Sequence, residues 1–314
     1  MARVLTVGAA QLGPIARRDG RGDVVKRLLA LLAQAHGRGC DLVVFPELAL
    51  TTFFPRWYME DQAEIDAFFE REVPGPETRP LFAEAARLGI GFALGYAELA
   101  VEAGATRRYN TSILVNRAGQ IVGKYRKVHL PGHADHEPWR PFQHLEKRYF
   151  DVGNLGFPVW RAFDGNVGMC ICNDRRWPEA YRVMGLQGVE MIVLGYNTPV
   201  HNPPAPEHDA LGHFHNHLVM QAGAYQNATW VVGVAKCGNE EGCEMIGQSA
   251  IIAPSGEIVA MCTTTGDELV TARCDLDLTR SYKETVFDFA RHRRPEAYRL
   301  IVERTGAEPP PRHP

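Results

Sequence analysis

The chain has 314 residues, and 34 basic against 37 acidic side chains leave a formal net charge of −3 at pH 7. That near balance excludes a dedicated nucleic-acid binder and a protein held by charge to a membrane surface. A hydrophobic content of 45% is that of a globular protein with a sizeable core, and no apolar run reaches the roughly 20 residues that span a bilayer.

Val4 to Ala10 is predicted to be a buried strand, entered directly after Met1-Ala2-Arg3 with no signal peptide. Together with seven cysteines, an odd number without paired spacing, this leads us to expect reduced thiols and a cytoplasmic location. Val24 to His36, with leucines at 28, 29, 31 and 32, has the period of an amphipathic helix and is stopped by Gly37 and Gly39. Leu42 to Phe45 is a short strand that ends in Pro46 and Glu47. Ile65 to Glu72 and Leu81 to Leu88 are predicted helices, separated by the break Pro74-Gly75-Pro76. Ile90 to Ala97 reads as a strand, and Thr111 to Lys124 as a hairpin turning at Arg117-Ala118-Gly119. The polar, proline- and histidine-bearing segment from Lys127 to Asp151 exceeds an ordinary connection, and long loops over an α/β sheet commonly belong to a site.

Val167 to Ile171 is a further strand, ending abruptly at Cys172, with Arg175 and Arg176 just beyond and Pro178 suited to the first turn of a helix. A thiol at the carboxyl end of a strand, facing a helix N-terminus and two guanidiniums, is expected in a field that favours thiolate. On spacing alone Cys172 reads either as a nucleophile or as a structural core thiol, and Cys170, on the opposite face, reads as the latter.

The second half repeats the order of the first. Ser112-Ile-Leu-Val with Gly119-Gln-Ile-Val matches Ser249-Ala-Ile-Ile with Gly256-Glu-Ile-Val. Leu94-Gly95-Tyr96-Ala97 matches Val232-Gly233-Val234-Ala235, and Gly39-Cys40-Asp41-Leu-Val-Val matches Gly188-Val189-Glu190-Met-Ile-Val. Two such halves predict two sheets packed face to face between helical layers, in one domain over residues 1–278. Residues 279–314 read as a tail outside that core, helical over Thr279 to Ala290, covering a neighbouring subunit as far as about Glu303 and loose from Gly306 to Pro314.

Glu47, Lys127 and Cys172 each follow a predicted strand, and ligands of α/β sheets bind beyond the carboxyl ends of strands. A carboxylate to take the thiol proton, a thiol to attack a carbonyl carbon and an ammonium to hold the oxyanion form a hydrolytic set. Singly, Glu47 and Lys127 read as easily as a surface carboxylate and a solvated charge.

The segments Phe45-Pro46-Glu47-Leu48, Tyr125-Arg126-Lys127-Val128-His129-Leu130 and Cys172-Asn173-Asp174-Arg175-Arg176-Trp177-Pro178-Glu179 resemble the three signature regions of the nitrilase superfamily. The resemblance extends to its N-carbamoyl-D-amino acid amidohydrolase (D-carbamoylase) branch. It runs from Ala9-Ala-Gln-Leu-Gly-Pro-Ile through Pro46-Glu-Leu-Ala-Leu-Thr-Thr-Phe-Phe-Pro-Arg-Trp and Arg140-Pro-Phe-Gln-His-Leu-Glu-Lys-Arg-Tyr-Phe to Gly195-Tyr-Asn-Thr-Pro. It implies a four-layer α-β-β-α sandwich, a Glu47-Lys127-Cys172 triad, no cofactor, a homodimer or homotetramer, and a small N-carbamoyl amino acid as the molecule bound. Glu146, in the family-like loop, either orients Lys127 or water or pairs with Lys147 or Arg148. The same resemblance adds His129, His144, Asn173, Asn197 and Thr198 as pocket or supporting residues. The substrate carboxylate needs a guanidinium, and one of Arg175 and Arg176 is expected to bind it while the other serves structure. Within the superfamily the alternative is an amidase acting on another small amide, and two further rival readings follow from the residues. His208, His213, His215 and His217 crowd a short span and invite a zinc-hydrolase reading, though without an H-E-x-x-H pattern. The other is a catalytically silent binding protein, against which the intact Glu47, Lys127 and Cys172 argue.

Overall fold

A computed structural model describes residues 2–312. In chain order the strands are β1 (Val4–Gln11), β2 (Leu42–Val44), β3 (Gly91–Glu102), β4 (Ala105–Val115), β5 (Ile121–Arg126), β6 (Val159–Ala162), β7 (Gly165–Ile171), β8 (Met191–Tyr196), β9 (Trp230–Ala235), β10 (Cys237–Glu240), β11 (Cys243–Ile246), β12 (Ala250–Ile252), β13 (Ile258–Met261) and β14 (Glu268–Asp275). The helices are α1 (Arg21–Gly37), α2 (Gln62–Asp66), α3 (Arg79–Leu88), α4 (Glu146–Tyr149), α5 (Pro178–Leu186), α6 (Gly212–Gln226), α7 (Leu278–Lys283), α8 (Phe289–His292) and α9 (Arg299–Glu303). Among the described residues no helix is long and apolar enough to cross a membrane.

Two six-stranded sheets run β14-β1-β2-β3-β4-β5 and β13-β12-β9-β8-β7-β6. In the first, β1, β2 and β3 are parallel and β3, β4 and β5 antiparallel; in the second, β7, β8 and β9 are parallel and β9, β12 and β13 antiparallel. The repeat seen in the sequence is therefore a repeat of topology, closed at each parallel edge by an antiparallel strand, β14 or β6. Its matching glycines have a backbone cause. Gly39 and Gly188 stand at φ 69° and 77° before the second strand of each half, and Gly119 and Gly256 turn the hairpins at φ 72° and 88°, a region open to glycine at little cost.

Alternating side chains sort the strands between two interiors. Leu5, Val7, Leu114 and Tyr125 from the first sheet meet Val167, Met169, Met191 and Val193 from the second in the core between the sheets. The outer face of the first sheet, with Val43, Phe92, Leu94 and Ile113, is covered by Leu28, Leu31 and Leu32 of α1 and Leu81, Phe82 and Ala85 of α3. Helices α5 and α6 cover the second sheet so closely that a Cβ on Gly168 or Gly233 would stand 2.6 or 2.5 Å from the sulfur of Met184 or Met220. The result is the expected α-β-β-α sandwich.

Three local expectations differ from the structure. The predicted helix at Ile65 to Glu72 stops at Asp66, because Glu70 joins the sheet instead: its N–H donates to Ala97 O at 2.7 Å and its carbonyl accepts from Leu99 N at 2.9 Å. Strands β3 and β4 extend past Ala97 into a long hairpin whose polar residues Glu98, Arg107 and Arg108 hide its alternation. In the tail, the single helix predicted over Thr279 to Ala290 is two, α7 and α8. The expected loose end from Gly306 has no regular helix or strand as far as Arg312, and His313 and Pro314 lie outside the described residues. Leu114 is fully buried where the sheets meet. Leu114→Ala is expected to cost about 2–5 kcal/mol of stability, read as a shift in the urea midpoint.

Candidate active site

Strand β2 ends at Val44, and the chain then passes between the two sheets at Pro46 and Glu47. Glycine makes the passage possible: a Cβ on Gly195 of β8 would lie 2.1 Å from Glu47 N, and one on Gly95 of β3 would lie 2.7 Å from Glu47 Cα. The Glu47 side chain is fully buried. Its Oε1 accepts from Lys127 Nζ and Asn110 Nδ2, both at 2.7 Å, and its Oε2 from Asn197 N at 2.7 Å. Asn197 also donates through Nδ2 to Glu47 O at 2.9 Å.

Lys127 follows β5 and is fixed by its own N–H donating to Asn110 O at 2.8 Å. Its ammonium also donates to Glu146 Oε2 at 2.5 Å, so it bridges two buried carboxylates. Glu146, which opens α4, is thus paired with Lys127 and not with Lys147 or Arg148, and His144 Nε2 stands 3.3 Å from its Oε1. Burial opposes the charge on Lys127, but Cys172, Glu146 and Glu47 outweigh it and hold the ammonium well above its ordinary value. Burial likewise works to raise Glu146, yet Lys127 and then His144 hold it below the usual carboxylate value.

Cys172 follows β7 at φ 46°, a left-handed conformation uncommon for a side chain of this kind. The strained turn is clamped from both sides. Asp174 Oδ2 accepts from Ile171 N at 2.9 Å and Tyr125 OH at 2.7 Å, and its Oδ1 from His129 N at 2.9 Å, with His129 Nδ1 at 2.8 Å. Arg175 donates through Nη1 to Cys172 O at 2.6 Å, through Nε to Asn216 Oδ1 at 3.0 Å and through Nη2 to Thr198 Oγ1 at 2.9 Å, while its guanidinium lies over the Tyr196 ring at 4.3 Å. Glu47, Glu146 and Cys172 each offer an oxygen or sulfur within 4.8 Å of the others. Residues spread over the chain from 47 to 172 thus meet at one buried point.

The thiol does not behave as the sequence suggests. Burial, the largest effect, and then the Glu47 charge push Cys172 above its ordinary value, and Lys127 and Arg175 only partly oppose them. Two guanidiniums and a short helical turn cannot outweigh removal from water, so the resting sulfur is a thiol beside a carboxylate.

Beside this group lies a cavity of about 650 Å³, lined among others by His144, Asn173, Arg176, Thr198, Phe142 and His215. The two adjacent arginines take different places, with Arg175 buried against the Cys172 turn and Arg176 on the cavity wall. Arg176 donates to Asn173 Oδ1 at 3.2 Å and has no carboxylate within ion-pairing reach among the described residues. The neighbouring Arg175 charge lowers it to about 10, still protonated at neutral pH. Two of the residues expected to line the pocket or support it lie behind its wall. His129 is stacked between Phe157 and Trp177 and serves Asp174, and Asn197 is buried against Glu47. The histidine cluster does not assemble as a metal site: His217 Nε2 lies 3.2 Å from Gln248 O, while His208 and His215 line the cavity. Among the described residues, the one group of His, Cys, Asp or Glu with ligand spacing is Glu47, Glu146 and Cys172, and Lys127 already donates to both of its carboxylates.

Asn110, Asp174, Asn216 and the glycine pair Gly95 and Gly195 escaped the sequence reading. Asp174 alone carried a signal, a carboxylate two residues past the cysteine in an otherwise cationic turn.

The profile of the carbon-nitrogen hydrolases matches residues 6–284. An N-carbamoylputrescine amidase of Arabidopsis thaliana is 31% identical over 88% of this chain and 89% of its own length. A nitrilase of Pyrococcus abyssi is 30% identical over 85% of this chain and 90% of its own. Among solved structures, a carbon-nitrogen hydrolase from Helicobacter pylori superposes with a TM-score of 0.82 at 22% identity, covering 96% of this chain and 99% of that one. The superfamily inferred from the three signature segments is borne out, whereas the two sequence relatives carry the names of a carbamoylputrescine amidase and a nitrilase rather than of a D-carbamoylase.

Because the Glu47 charge raises the thiol, Glu47→Gln is expected to lower it. Alkylation of Cys172 by iodoacetamide at pH 8, followed by mass spectrometry, should then run several-fold faster than in wild type. A slower reaction would contradict the electrostatic assignment.

Proposed function

The chain belongs to the carbon-nitrogen hydrolase family, and on that footing we propose that it hydrolyses N-carbamoyl amino acids, of D configuration, to the amino acid, ammonia and carbon dioxide. Glu47 accepts the Cys172 proton as the sulfur attacks the ureido carbon. The Lys127 ammonium and the Asn173 N–H hold the oxyanion that forms. Collapse breaks the bond to the terminal nitrogen, and Glu47 returns the proton to the departing ammonia. Water, deprotonated by Glu47, attacks the carbamoyl thioester and releases Cys172 together with an N-carboxy amino acid, which loses carbon dioxide unaided. A thiol held neutral at rest is why the reaction needs a carboxylate base beside it. Glu146 keeps Lys127 in place.

The observation that carries the reading is the meeting of Glu47, Glu146 and Cys172 around Lys127 beside a cavity with an arginine on its wall. The D configuration rests on the resemblance of the flanking segments to the D-carbamoylases. The kinship with a carbamoylputrescine amidase favours a second reading, a ureido substrate with a cationic tail. The cavity supports the anionic tail better. Its carboxylates are engaged, Glu137 with Arg140 at 2.6 Å and Asp209 with His201 at 2.7 Å, whereas Arg176 is without an acidic partner among the described residues.

Ammonia release from N-carbamoyl-D-phenylalanine, its L isomer and N-carbamoylputrescine tests the assignment. Release from the D amino acid derivative, abolished in Cys172→Ala, is expected, and exclusive turnover of the putrescine compound would overturn it. Arg176→Gln is expected to raise KM for the carboxylate-bearing substrate by roughly 10-fold or more, the worth of a charge-assisted hydrogen bond, with little effect on any turnover of carbamoylputrescine.

A further inference from the structure

A second buried group of charges lies on the far side of the turn that carries Glu47, and the reaction above does not use it. Lys236 follows β9 and is fully buried. Its backbone continues the second sheet at the seam with the first: its N–H donates to Tyr196 O, its carbonyl accepts from Gly247 N, and the residue bridges to Leu12. Its ammonium donates to Thr51 O, the end of the turn that begins at Glu47, and stands 3.8 Å from Glu240 Oε1. Glu240, also fully buried, grips the next two residues, accepting from Thr52 Oγ1 at 2.5 Å and Phe53 N at 2.7 Å. Arg56 completes the group, with Nη1 3.3 Å from Glu240 and Nη2 donating to Thr52 Oγ1 and Glu241 Oε2.

Two features set this group apart from a device for stability. Thr51 Oγ1 and Glu240 Oε2 are buried without partners, an arrangement that costs stability. The charges also complement those of the neighbouring site. There, two carboxylates, Glu47 and Glu146, share one ammonium; here, Lys236 and Arg56 share the fully buried Glu240, and Arg56 also pairs with the exposed Glu241. Burial lowers Lys236 to about 8; Glu240 and Glu47 oppose that effect, and Arg56 and Arg27 reinforce it.

We propose that Lys236 is a positioning residue for Glu47: it anchors the far end of the Glu47–Thr51 turn and supplies the cation that balances the excess carboxylate of the active site. The proposal rests on Glu47 being the base of the proposed reaction. Lys127, Glu146, Cys172 and Arg175 face Glu47 or the thiol from the other elements and stay unchanged in the test.

The test compares full-length wild type, Lys236→Met and Glu240→Gln. The pH dependence of kcat and KM is measured on the ureido substrate, the pH midpoint of Cys172 alkylation by iodoacetamide on the free protein, and the fold by circular dichroism. Removing the cation in Lys236→Met is expected to lower kcat at least about 10-fold with KM within about 2-fold. It should also move the acidic limb, which lies where Lys236 is charged, upward by roughly half a pH unit or more, the reach of one charge through the protein interior. Glu240→Gln removes a carboxylate from the same group and should move the acidic limb and the alkylation midpoint downward. Because the opposite signs are predicted, a folded Glu240→Gln decides the matter should Lys236→Met not fold. Midpoints that stay at the wild-type value, with only the unfolding temperature lowered, would reduce Lys236 to a structural residue. Alkylation needs no substrate, so a shifted alkylation midpoint in an enzyme that turns over no ureido compound would overturn the substrate assignment alone.

Discussion

One ammonium held between two carboxylates, all three buried away from bulk solvent, is the interaction on which the site depends. Lys127 comes from the edge strand of the first sheet, Glu47 from the turn after β2 and Glu146 from the loop that crosses the sheet ends. Ion pairs this deep return little net stability, because desolvation consumes most of their attraction. Losing one partner is another matter, since it strands a buried charge at a cost of about 3–5 kcal/mol. The three side chains are therefore locked together by the penalty of separating them. Such a lock suits the proposed reaction, whose base and oxyanion cation must stay within hydrogen-bonding reach of one sulfur.

The fold supplies that lock by leaving things out. Gly95 and Gly195 face the Glu47 backbone from opposite sheets, and either Cβ would push it from its place. The remaining support is polar. Asp174 and Arg175, on either side of the Cys172 turn, recruit Tyr125, His129, Asn216 and Thr198 to hold a backbone conformation that cysteine does not choose alone. Each half of the repeated topology contributes: Glu47 and Lys127 from the first, Cys172 and Asn197 from the second. The site is thus the seam where the two halves are joined.

Much of this was legible in the sequence. Parallel strands buried on both faces write themselves as unbroken apolar runs, and helices that cover them as leucines at helical spacing. The halves therefore disclosed their common order before any coordinates, and Glu47, Lys127 and Cys172 stood out because polar residues at strand ends are conspicuous. What stayed hidden depended on contacts between distant positions. Nothing in the neighbourhood of Asn110 marks it as a donor to Glu47, and Glu70 looks helical until β3 is there to pair with it. The protonation of the thiol was misjudged for the same reason. Adjacent arginines are visible in a sequence; the depth at which Cys172 is buried is not.

That depth has a consequence for how the protein ages. Hydrogen peroxide oxidises thiolates far faster than thiols, and it must reach them. Cys172 is 1% exposed and protonated at rest, and the other six cysteines are free and buried, with burial pushing each thiol up. On the proposed mechanism, a chain rich in reduced sulfur would pass through an oxidising spell with Cys172 intact, its vulnerable moments confined to turnover, when Glu47 has taken the proton.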